Sequence, residues 1–402
     1  MTDHPILNQV ALSYCPVIDR NRGVCATRLS VYPLNPSQDL DARALLEAIS
    51  EAWPVGGPQV WVNVMGERLL RDLIDAQPAT HILIEIPAFM ATDPEYLEPI
   101  KTLHANGNEL LLKGRPFKEL PREILPCFKH SIIDFDDDRR IDGGAPAPSG
   151  LPEGVVRTIG HIQSNIGNVD AMELSFRRGA TAVLGWPIDD AITTSGKASD
   201  QPALQVIVQL IDQVHKEAEI DELENTLKRD PALAYKLMRY INSPAFGLSV
   251  EISSFRHAIM ILGYQRLKRW LALLLATASK DPNMRPVMFA SVRRGMLLEE
   301  LARISGDDEM RSELFICGVF SLLDRMFHQP FSELLKTIPV PERVYQVLSD
   351  GSGPYAAYLN LVKAMEGQTL DDIREAAEAL FMTFGDINRC VLKAMANATQ
   401  LD

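Results

Sequence analysis

The chain has 402 residues, a formal net charge of -13 and 46% hydrophobic residues. This length is sufficient for two or three domains with cores of their own, and we expect two. The acidic balance disfavours binding to nucleic acids, because phosphate contacts require clustered lysine and arginine. The five cysteines are scattered without CxxC spacing, which argues against both a disulfide framework and a zinc site.

The hydrophobic runs are too short for a membrane-spanning helix. The longest of them covers residues 270–278, whereas a spanning helix needs roughly 20 apolar residues. The first ten residues, MTDHPILNQV, lack the basic segment and apolar run of a secretion signal. We therefore expect a cytoplasmic protein without a membrane partner.

Short apolar runs typical of β-strands recur through the first 190 residues. We predict eight strands, at 9–18, 24–32, 59–64, 81–87, 109–113, 131–135, 155–160 and 181–186. Only the sequence DRNRG separates the first two, so they should form an antiparallel hairpin. The longer connections between later strands suit parallel strands with helices outside them. Because eight strands close a small barrel, we expect a (β/α)8 barrel with one antiparallel strand.

The sequence pattern changes from mixed to helical near residue 200. Residues 136–154 are acidic and then rich in proline and glycine, which predicts a surface loop within the barrel. The polar stretch 193–201, TTSGKASDQ, fits a linker between domains better than residues 136–154 do. Helical periodicity follows at 203–216, 220–228, 285–304, 313–327, 342–348, 355–365, 370–384 and 387–398. These patterns predict a barrel over 1–192, a linker over 193–201 and an all-helical domain over 202–402.

Residues 228–270 contain clear signals for helix starts and stops. Asp230 can cap the free amides of a helix whose first position is Pro231. We expect Asn242 and Ser243 to hold the following turn through hydrogen bonds between side chain and backbone, rather than to act in catalysis.

A further helix of this segment should begin after a cap at Ser253 or Ser254 and end at Gly263. His257 lies within that helix. The eight histidines of the chain show no metal-ligand spacing, so we interpret His257 as a core or interface residue rather than a ligand.

This segment resembles the HDOD domain, a non-catalytic relative of the HD phosphohydrolases. The resemblance is carried by Asp230-Pro231, Leu237-Met238, Asn242-Ser243-Pro244, Ser253, Ala258-Ile259 and Leu262-Gly263. In the HD superfamily, histidine and aspartate hold the metals that cut phosphoesters. The chain has no adjacent His-Asp pair, which disfavours an HD-type phosphohydrolase.

A barrel that starts with a hairpin and precedes an HDOD domain resembles the EAL-HDOD signalling proteins, whose EAL half is related to cyclic-di-GMP phosphodiesterases. In active members, carboxylates and an asparagine at the carboxyl ends of successive strands hold two divalent cations that activate water. The resemblance implies that two of these positions survive, as Asn63 and Glu85, and that acidic positions have become basic. The positions of this chain that match the EAL site include Arg28, Asn63, Glu85, Lys113, Gly160 and Gln163.

Two magnesium ions need several oxygen ligands each, so Asn63 and Glu85 cannot hold them beside two basic side chains. We therefore expect no catalytic residue, no metal and no cofactor. Our hypothesis is that Arg28 and Lys113 occupy the space of the lost cations and pair with Glu85. The alternative is that both cations are solvated at the barrel mouth. Binding of cyclic-di-GMP without hydrolysis is a separate alternative, which we favour less than the absence of binding.

The resemblance implies a non-catalytic bacterial signal-transduction regulator, linked to cyclic-di-GMP signalling and to motility, biofilm or virulence. Its HDOD domain would contact other signalling or regulatory proteins. The sequence is compatible with either a monomer or a homodimer. The rival is a phosphodiesterase or a cyclic-di-GMP-binding effector with a rearranged EAL site. A nucleic-acid regulator would use the basic run 265–269, QRLKR, which we interpret instead as a solvated helix face.

Overall fold

The structure is a computed structural model that describes residues 4–53, 59–137, 159–188, 202–241, 255–277, 279, 281–304, 307–367 and 369–398. The chain divides into two compact units. The first comprises residues 1–190, 285–287 and 360–402, and the second comprises residues 191–284 and 288–359. The polypeptide therefore leaves the first unit and returns to it near its carboxyl end.

The first unit contains a closed barrel whose eight described strands follow one another in chain order. Strand β1 is antiparallel to both β2 and β8, whereas all other neighbours are parallel. This confirms the predicted (β/α)8 barrel with one reversed strand. The strands are β1 Val10–Asp19, β2 Val24–Pro33, β3 Gln59–Val64, β4 Ile82–Pro87, β5 Leu110–Lys113, β6 Phe128–Asp134, β7 Gly160–Ile166 and β8 Ala182–Gly185.

Helices connect most of the parallel strands, as the long connections predicted. They are α1 Ala42–Ala52, α2 Glu67–Asp75, α3 Ala88–Ala91, α4 Pro94–Ala105 and α5 Val169–Arg177. Local sequence determines where several of them begin. The side chain of Asp41, for example, accepts a hydrogen bond from the Ala44 amide at the start of α1, which satisfies one of the free amides of its first turn.

The barrel interior is filled by side chains that recur every second residue along the strands, the period of a pleated strand. The buried members of this interior cluster are Cys15, Val17, Ala26, Trp61, Leu83, Leu111, Ile132, Ile162, Ala182 and Leu184.

The seventh strand lies further along the chain than predicted. It runs from Gly160 to Ile166, whereas the prediction ended at residue 160, and residues 155–158 lie outside the described part. The first residue of the strand is Gly160. A glycine fits there because a Cβ would lie 2.4 Å from Nδ1 of His130. The prediction followed the apolar pair Val155-Val156 and stopped before GHIQSNI, which is more polar. The predicted loop and linker, 136–154 and 193–201, fall almost wholly outside the described residues.

The described part of the second unit is helical throughout, as predicted. Its helices are α6 Pro202–His215, α7 Ile220–Leu227, α8 Pro231–Ile241, α9 Phe255–Ala276, α10 Arg285–Ala302, α11 Asp308–Phe320, α12 Leu323–Phe327, α13 Phe331–Leu334, α14 Glu342–Asp350 and α15 Ala356–Glu366. The first residues of α10 and the last of α15 belong by their contacts to the first unit. The single helix predicted over 313–327 is two helices, α11 and α12.

The structure confirms several of the predicted helix signals. The Asp230 side chain accepts a hydrogen bond of 3.0 Å from the Leu233 amide, and α8 begins at Pro231. Gly263 interrupts α9 with φ 66° and ψ 169°, a backbone conformation that favours glycine. Asn242, Ser243 and Ser253 lie outside the described residues.

His257 is not a core residue, contrary to one part of our interpretation. Its side chain is exposed on α9. The sequence signal was weak, because apolar Ile261 lies one turn further on and placed His257 on what looked like a buried face.

The carboxyl-terminal helices belong to the barrel unit, which differs from the expected boundary of a helical domain over 202–402. They are α16 Leu370–Ala379 and α17 Phe384–Ala398. Asn388 of α17 is fully buried. Its Oδ1 accepts from the Leu12 amide at 3.1 Å, and its Nδ2 donates to the carbonyls of Leu7 and Val10, each at 2.8 Å. Residues from both ends of the chain thus build the start of β1.

We predict that Asn388→Ala will destabilise the barrel unit by about 2–4 kcal/mol, because it leaves three buried backbone groups without a partner. The free energy of unfolding from urea titration should fall, and hydrogen exchange at the Leu12 amide should accelerate. The control is Asn360→Ala, which removes an exposed asparagine of α15 and should change neither quantity. Unchanged exchange at Leu12 in Asn388→Ala would contradict this role.

Candidate functional site: the barrel mouth

Four polar side chains face the barrel interior from neighbouring strands. Each stands two residues after a member of the interior cluster, on the carboxyl side, and therefore points to the same face of its strand. The pairs of cluster member and polar residue are Ala26 and Arg28 on β2, Trp61 and Asn63 on β3, Leu83 and Glu85 on β4, and Leu111 and Lys113 on β5.

Arg28 and Glu85 form a buried, bidentate ion pair. The guanidinium Nε donates to Oε1 of Glu85 at 2.7 Å, and Nη2 donates to Oε2 at 2.6 Å. Arg28 is 5% exposed and Glu85 is 1% exposed. Burial alone would lower the pKa of Arg28, but the charge and hydrogen bonds of Glu85 outweigh it and raise the pKa above its usual value. The guanidinium therefore stays charged, and its two hydrogen bonds satisfy both oxygens of Glu85.

Lys113 pairs with Asn63 rather than with Glu85. Its Nζ donates to Oδ1 of Asn63 at 2.7 Å and lies 3.5 Å from the sulfur of Met65. The amide of Asn63 in turn donates to the Ser30 hydroxyl at 2.9 Å. The hypothesis that both cations bind Glu85 is thus correct for Arg28 and wrong for Lys113. Arg28 binds both oxygens of the carboxylate, and the acceptor that Lys113 uses is the amide oxygen of Asn63.

Gly160 and Gln163 do not lie at the barrel mouth, which corrects their expected placement. Gly160 is the first residue of β7 and therefore lies at the opposite end of the strand. Gln163 follows the interior residue Ile162 and points to the other face, where its Nε2 donates to the Asp134 carbonyl at 3.0 Å. The error follows from the misplaced seventh strand.

The sequence reasoning missed two residues of the site. Ser30 follows Arg28 by two positions on β2 and therefore faces the same interior. Cys15 is the cross-strand partner of Arg28 in the hairpin, and burial raises the pKa of its thiol to about 11, so that the thiol stays protonated near neutral pH. The alternation of the strands and the register of the hairpin could have identified both.

The oxygen acceptors of this arrangement are already in use. Arg28 takes both oxygens of Glu85, and Lys113 takes the amide oxygen of Asn63. Within the described ranges, no cluster of three or more histidine, cysteine, aspartate or glutamate residues could hold a metal ion. A cation at Glu85 or Asn63 would therefore have to compete with Arg28 or Lys113 for the same oxygens.

A cleft of about 440 Å³ lies beside the mouth and includes Lys113 in its wall. Phe89 and Phe117 line it as well, and both side chains are exposed to solvent. The cleft thus combines aromatic surface with one partly buried cation.

Residues 201–328 match the sequence model of the HDOD domain, so the second unit carries an HDOD domain. In the part of the chain that the structure describes, every helix is too short or too polar to cross a membrane.

Two curated proteins resemble the chain. Over 176 residues it is 30% identical to protein YuxH of Bacillus subtilis, and this match covers 43% of the chain and 43% of YuxH. The matched part is thus less than half of that relative. Over 347 residues the chain is 26% identical to a protein of Vibrio cholerae named cyclic di-GMP phosphodiesterase CdgJ, which covers 82% of the chain and 79% of CdgJ.

Solved structures of EAL proteins also match the barrel region. The PaMucR phosphodiesterase in complex with c-di-GMP matches with a TM-score of 0.34 and 15% identity, over 45% of this chain and 96% of that chain. The FimX EAL domain from Pseudomonas aeruginosa bound to c-di-GMP matches with a TM-score of 0.31 and 16% identity, over 46% and 90% of the two chains.

We predict that Glu85→Ala will destabilise the protein by about 3–5 kcal/mol, because it leaves the buried Arg28 cation without a partner. The double variant Arg28→Met/Glu85→Leu should lose much less, since it removes both charges. Urea titration of the two variants measures the difference. As a control, Glu109→Ala breaks the half-exposed ion pair with Lys129 and should cost at most about 1 kcal/mol. Equal losses for Glu85→Ala and Glu109→Ala would contradict the burial argument.

The stability of the protein should depend on the protonation of Lys113. Burial lowers the pKa of its ammonium group below the usual 10.5, with a smaller rise from Glu85 and a smaller decrease from Arg28. Between the lowered pKa and 10.5, the unfolded chain binds more protons than the folded chain. The free energy of unfolding contributed by Lys113 therefore rises with pH across that window.

We expect Lys113→Met to remove this rise, as measured by urea titration at successive pH values. The matched control is Lys129→Met, because Lys129 is half exposed and pairs with Glu109. If Lys113→Met and the wild type show the same slope with pH, the amine of Lys113 is not buried in the folded protein.

Proposed function

We propose that this protein is a non-catalytic regulator in cyclic-di-GMP signalling that acts through contacts with other proteins. The observation that carries the proposal is the Arg28–Glu85 ion pair inside the barrel mouth. The similarity to CdgJ of Vibrio cholerae supports the link to cyclic-di-GMP, and the HDOD domain at residues 201–328 supports a regulatory output.

The argument against catalysis is electrostatic. The resemblance to EAL domains makes Glu85 a former metal ligand, and in this chain a guanidinium lies 2.6 and 2.7 Å from its two oxygens. Two magnesium ions carry four positive charges and require oxygen ligands in octahedral geometry. Their binding would have to expel Arg28 and would face its charge and that of Lys113 at close range.

The helical unit supports a role in protein contacts. An HDOD domain without a His-Asp metal pair has no ligand set for phosphoester hydrolysis, and this chain has no adjacent His-Asp pair. A domain of this kind can transmit a signal by binding a partner. We infer that the partners are other signalling or regulatory proteins.

A phosphodiesterase is the second candidate, because the Vibrio cholerae relative is named as one. A phosphodiesterase would need a rearranged metal set that includes Glu85. The two candidates therefore differ in whether Glu85 binds a metal or Arg28.

We predict that the purified full chain will not convert cyclic-di-GMP to the linear dinucleotide in the presence of Mg²⁺ or Mn²⁺. The physical reason is the loss of the oxygen ligands that both ions require. Chromatography of the nucleotides after incubation measures the conversion, and calorimetric titration with Mn²⁺ measures metal binding in the same preparation.

The matched control is Arg28→Met/Glu85→Leu, which lacks the mouth carboxylate. Turnover in the wild type that disappears in this variant would overturn the proposal, whereas equal trace turnover in both indicates a contaminating enzyme. Tight binding of uncleaved cyclic-di-GMP would identify a ligand-binding effector instead of a regulator that works by protein contacts alone.

A further inference from the structure

The helical unit contains a cavity of about 220 Å³ that is partly open to solvent. It lies between α6, α9, α11 and the segment that leads into α14, all within the second unit. The lining residues divide into an apolar set, formed by Ile211, Ala272, Ile316, Phe320, Pro339 and Pro341, and a polar set, formed by His215, Gln265, Lys268, Glu309, Ser312 and Glu313. An apolar cavity with a few convergent polar groups is the usual form of a small-molecule site.

The two carboxylates of the wall already have partners. Glu313 accepts from the Tyr355 hydroxyl at 2.6 Å and pairs with Nε of Arg343 at 3.0 Å. Glu309 pairs with Nη2 of the same Arg343 at 3.2 Å. This side of the cavity therefore does not need a cation from a ligand.

Lys268 has no such partner. Its side chain is half-buried on α9, lines the cavity, and makes no hydrogen bond or ion pair with any residue that the structure describes. A partly desolvated ammonium gains free energy when an anion binds beside it. The cavity thus offers one unsatisfied positive charge next to an apolar wall.

The basic run 265–269 is only partly a solvated face, which modifies its interpretation from sequence. Gln265 and Lys268 line the cavity. Arg269 binds Glu299 at 2.5 Å and lies over the ring of Phe315 at 3.9 Å from its centroid. Since Arg269 is held within the unit, Lys268 is the member of the run that is placed to meet a ligand in the cavity.

The size of the cavity limits the ligand. Its 220 Å³ equals the liquid volume of about seven water molecules, and drug-sized ligands occupy pockets of about 300–1,000 Å³. A dinucleotide is therefore too large. A dianion such as phosphate has no apolar surface to pack against the wall, and the unpaired Lys268 would neutralise only one of its two charges. A monoanion with a compact apolar body fits both the charge and the volume.

We propose that this cavity binds a small organic monocarboxylate, with its carboxylate on Lys268 and its apolar body against Ile211, Ile316 and Phe320. The site goes beyond the proposed function, and it lies in a different unit from the barrel mouth. Binding at this cavity would allow a small molecule to regulate the HDOD domain directly.

The test uses three probes of the same shape: phenylacetate, its neutral amide phenylacetamide, and the cation phenethylamine. Each is titrated into the full chain while methyl NMR signals of Ile211 and Ile316 are recorded. Phenylacetate should shift these signals and bind at least about tenfold more tightly than the amide or the amine, as expected for one charge-assisted hydrogen bond. Equal affinity for all three probes, or no binding of phenylacetate, would overturn the proposal.

Three variants separate the site from general effects. Lys268→Met should weaken phenylacetate binding at least about tenfold, and Ser312→Phe should abolish it by filling the cavity. Lys236→Met changes an exposed lysine of α8 and should leave binding unchanged. Far-ultraviolet circular dichroism confirms that each variant is folded. Undiminished binding of phenylacetate to folded Lys268→Met would contradict the assignment of this site. That conclusion holds whatever the outcome of the cyclic-di-GMP assay.

Discussion

The ion pair between Arg28 and Glu85 constrains the whole of the barrel mouth. Two charges that are 5% and 1% exposed have lost their hydration, and only a partner of opposite charge and good geometry offsets that loss. The bidentate arrangement uses both oxygens of the Glu85 carboxylate. Beside this pair, Lys113 donates to the amide oxygen of Asn63, and the amide nitrogen of Asn63 donates to Ser30.

The frame of the barrel and its polar mouth are held together by different interactions. The barrel closes through its backbone ladder and its apolar interior, and neither depends on a metal. At the mouth, Arg28 pairs with Glu85 and Lys113 pairs with Asn63, so that these buried and partly buried polar side chains satisfy one another.

Sequence patterns predicted much of this architecture and part of the site. The resemblance to EAL domains selected Arg28, Asn63, Glu85 and Lys113, and the alternation along β2 to β5 places all four in one interior. The short DRNRG connection was sufficient to predict the reversed first strand. The pattern failed at β7, where the polar sequence GHIQSNI looked less like a strand than its apolar neighbour. This single error displaced Gly160 and Gln163 from their real positions, because one misplaced strand shifts every side chain on it.

The sequence by itself predicted the eight-stranded barrel and the helical HDOD domain, and it showed which polar residues, Arg28, Asn63, Glu85 and Lys113, the mouth would contain. These features depend on local periodicity, turn residues and residue identity, which are visible along the chain. Only the tertiary structure decided that Arg28 takes Glu85 while Lys113 takes Asn63, that Asn388 binds the backbone of β1, and that Lys268 faces a cavity. Such contacts join residues 57 or 376 positions apart, and their geometry depends on how the elements pack rather than on any local pattern.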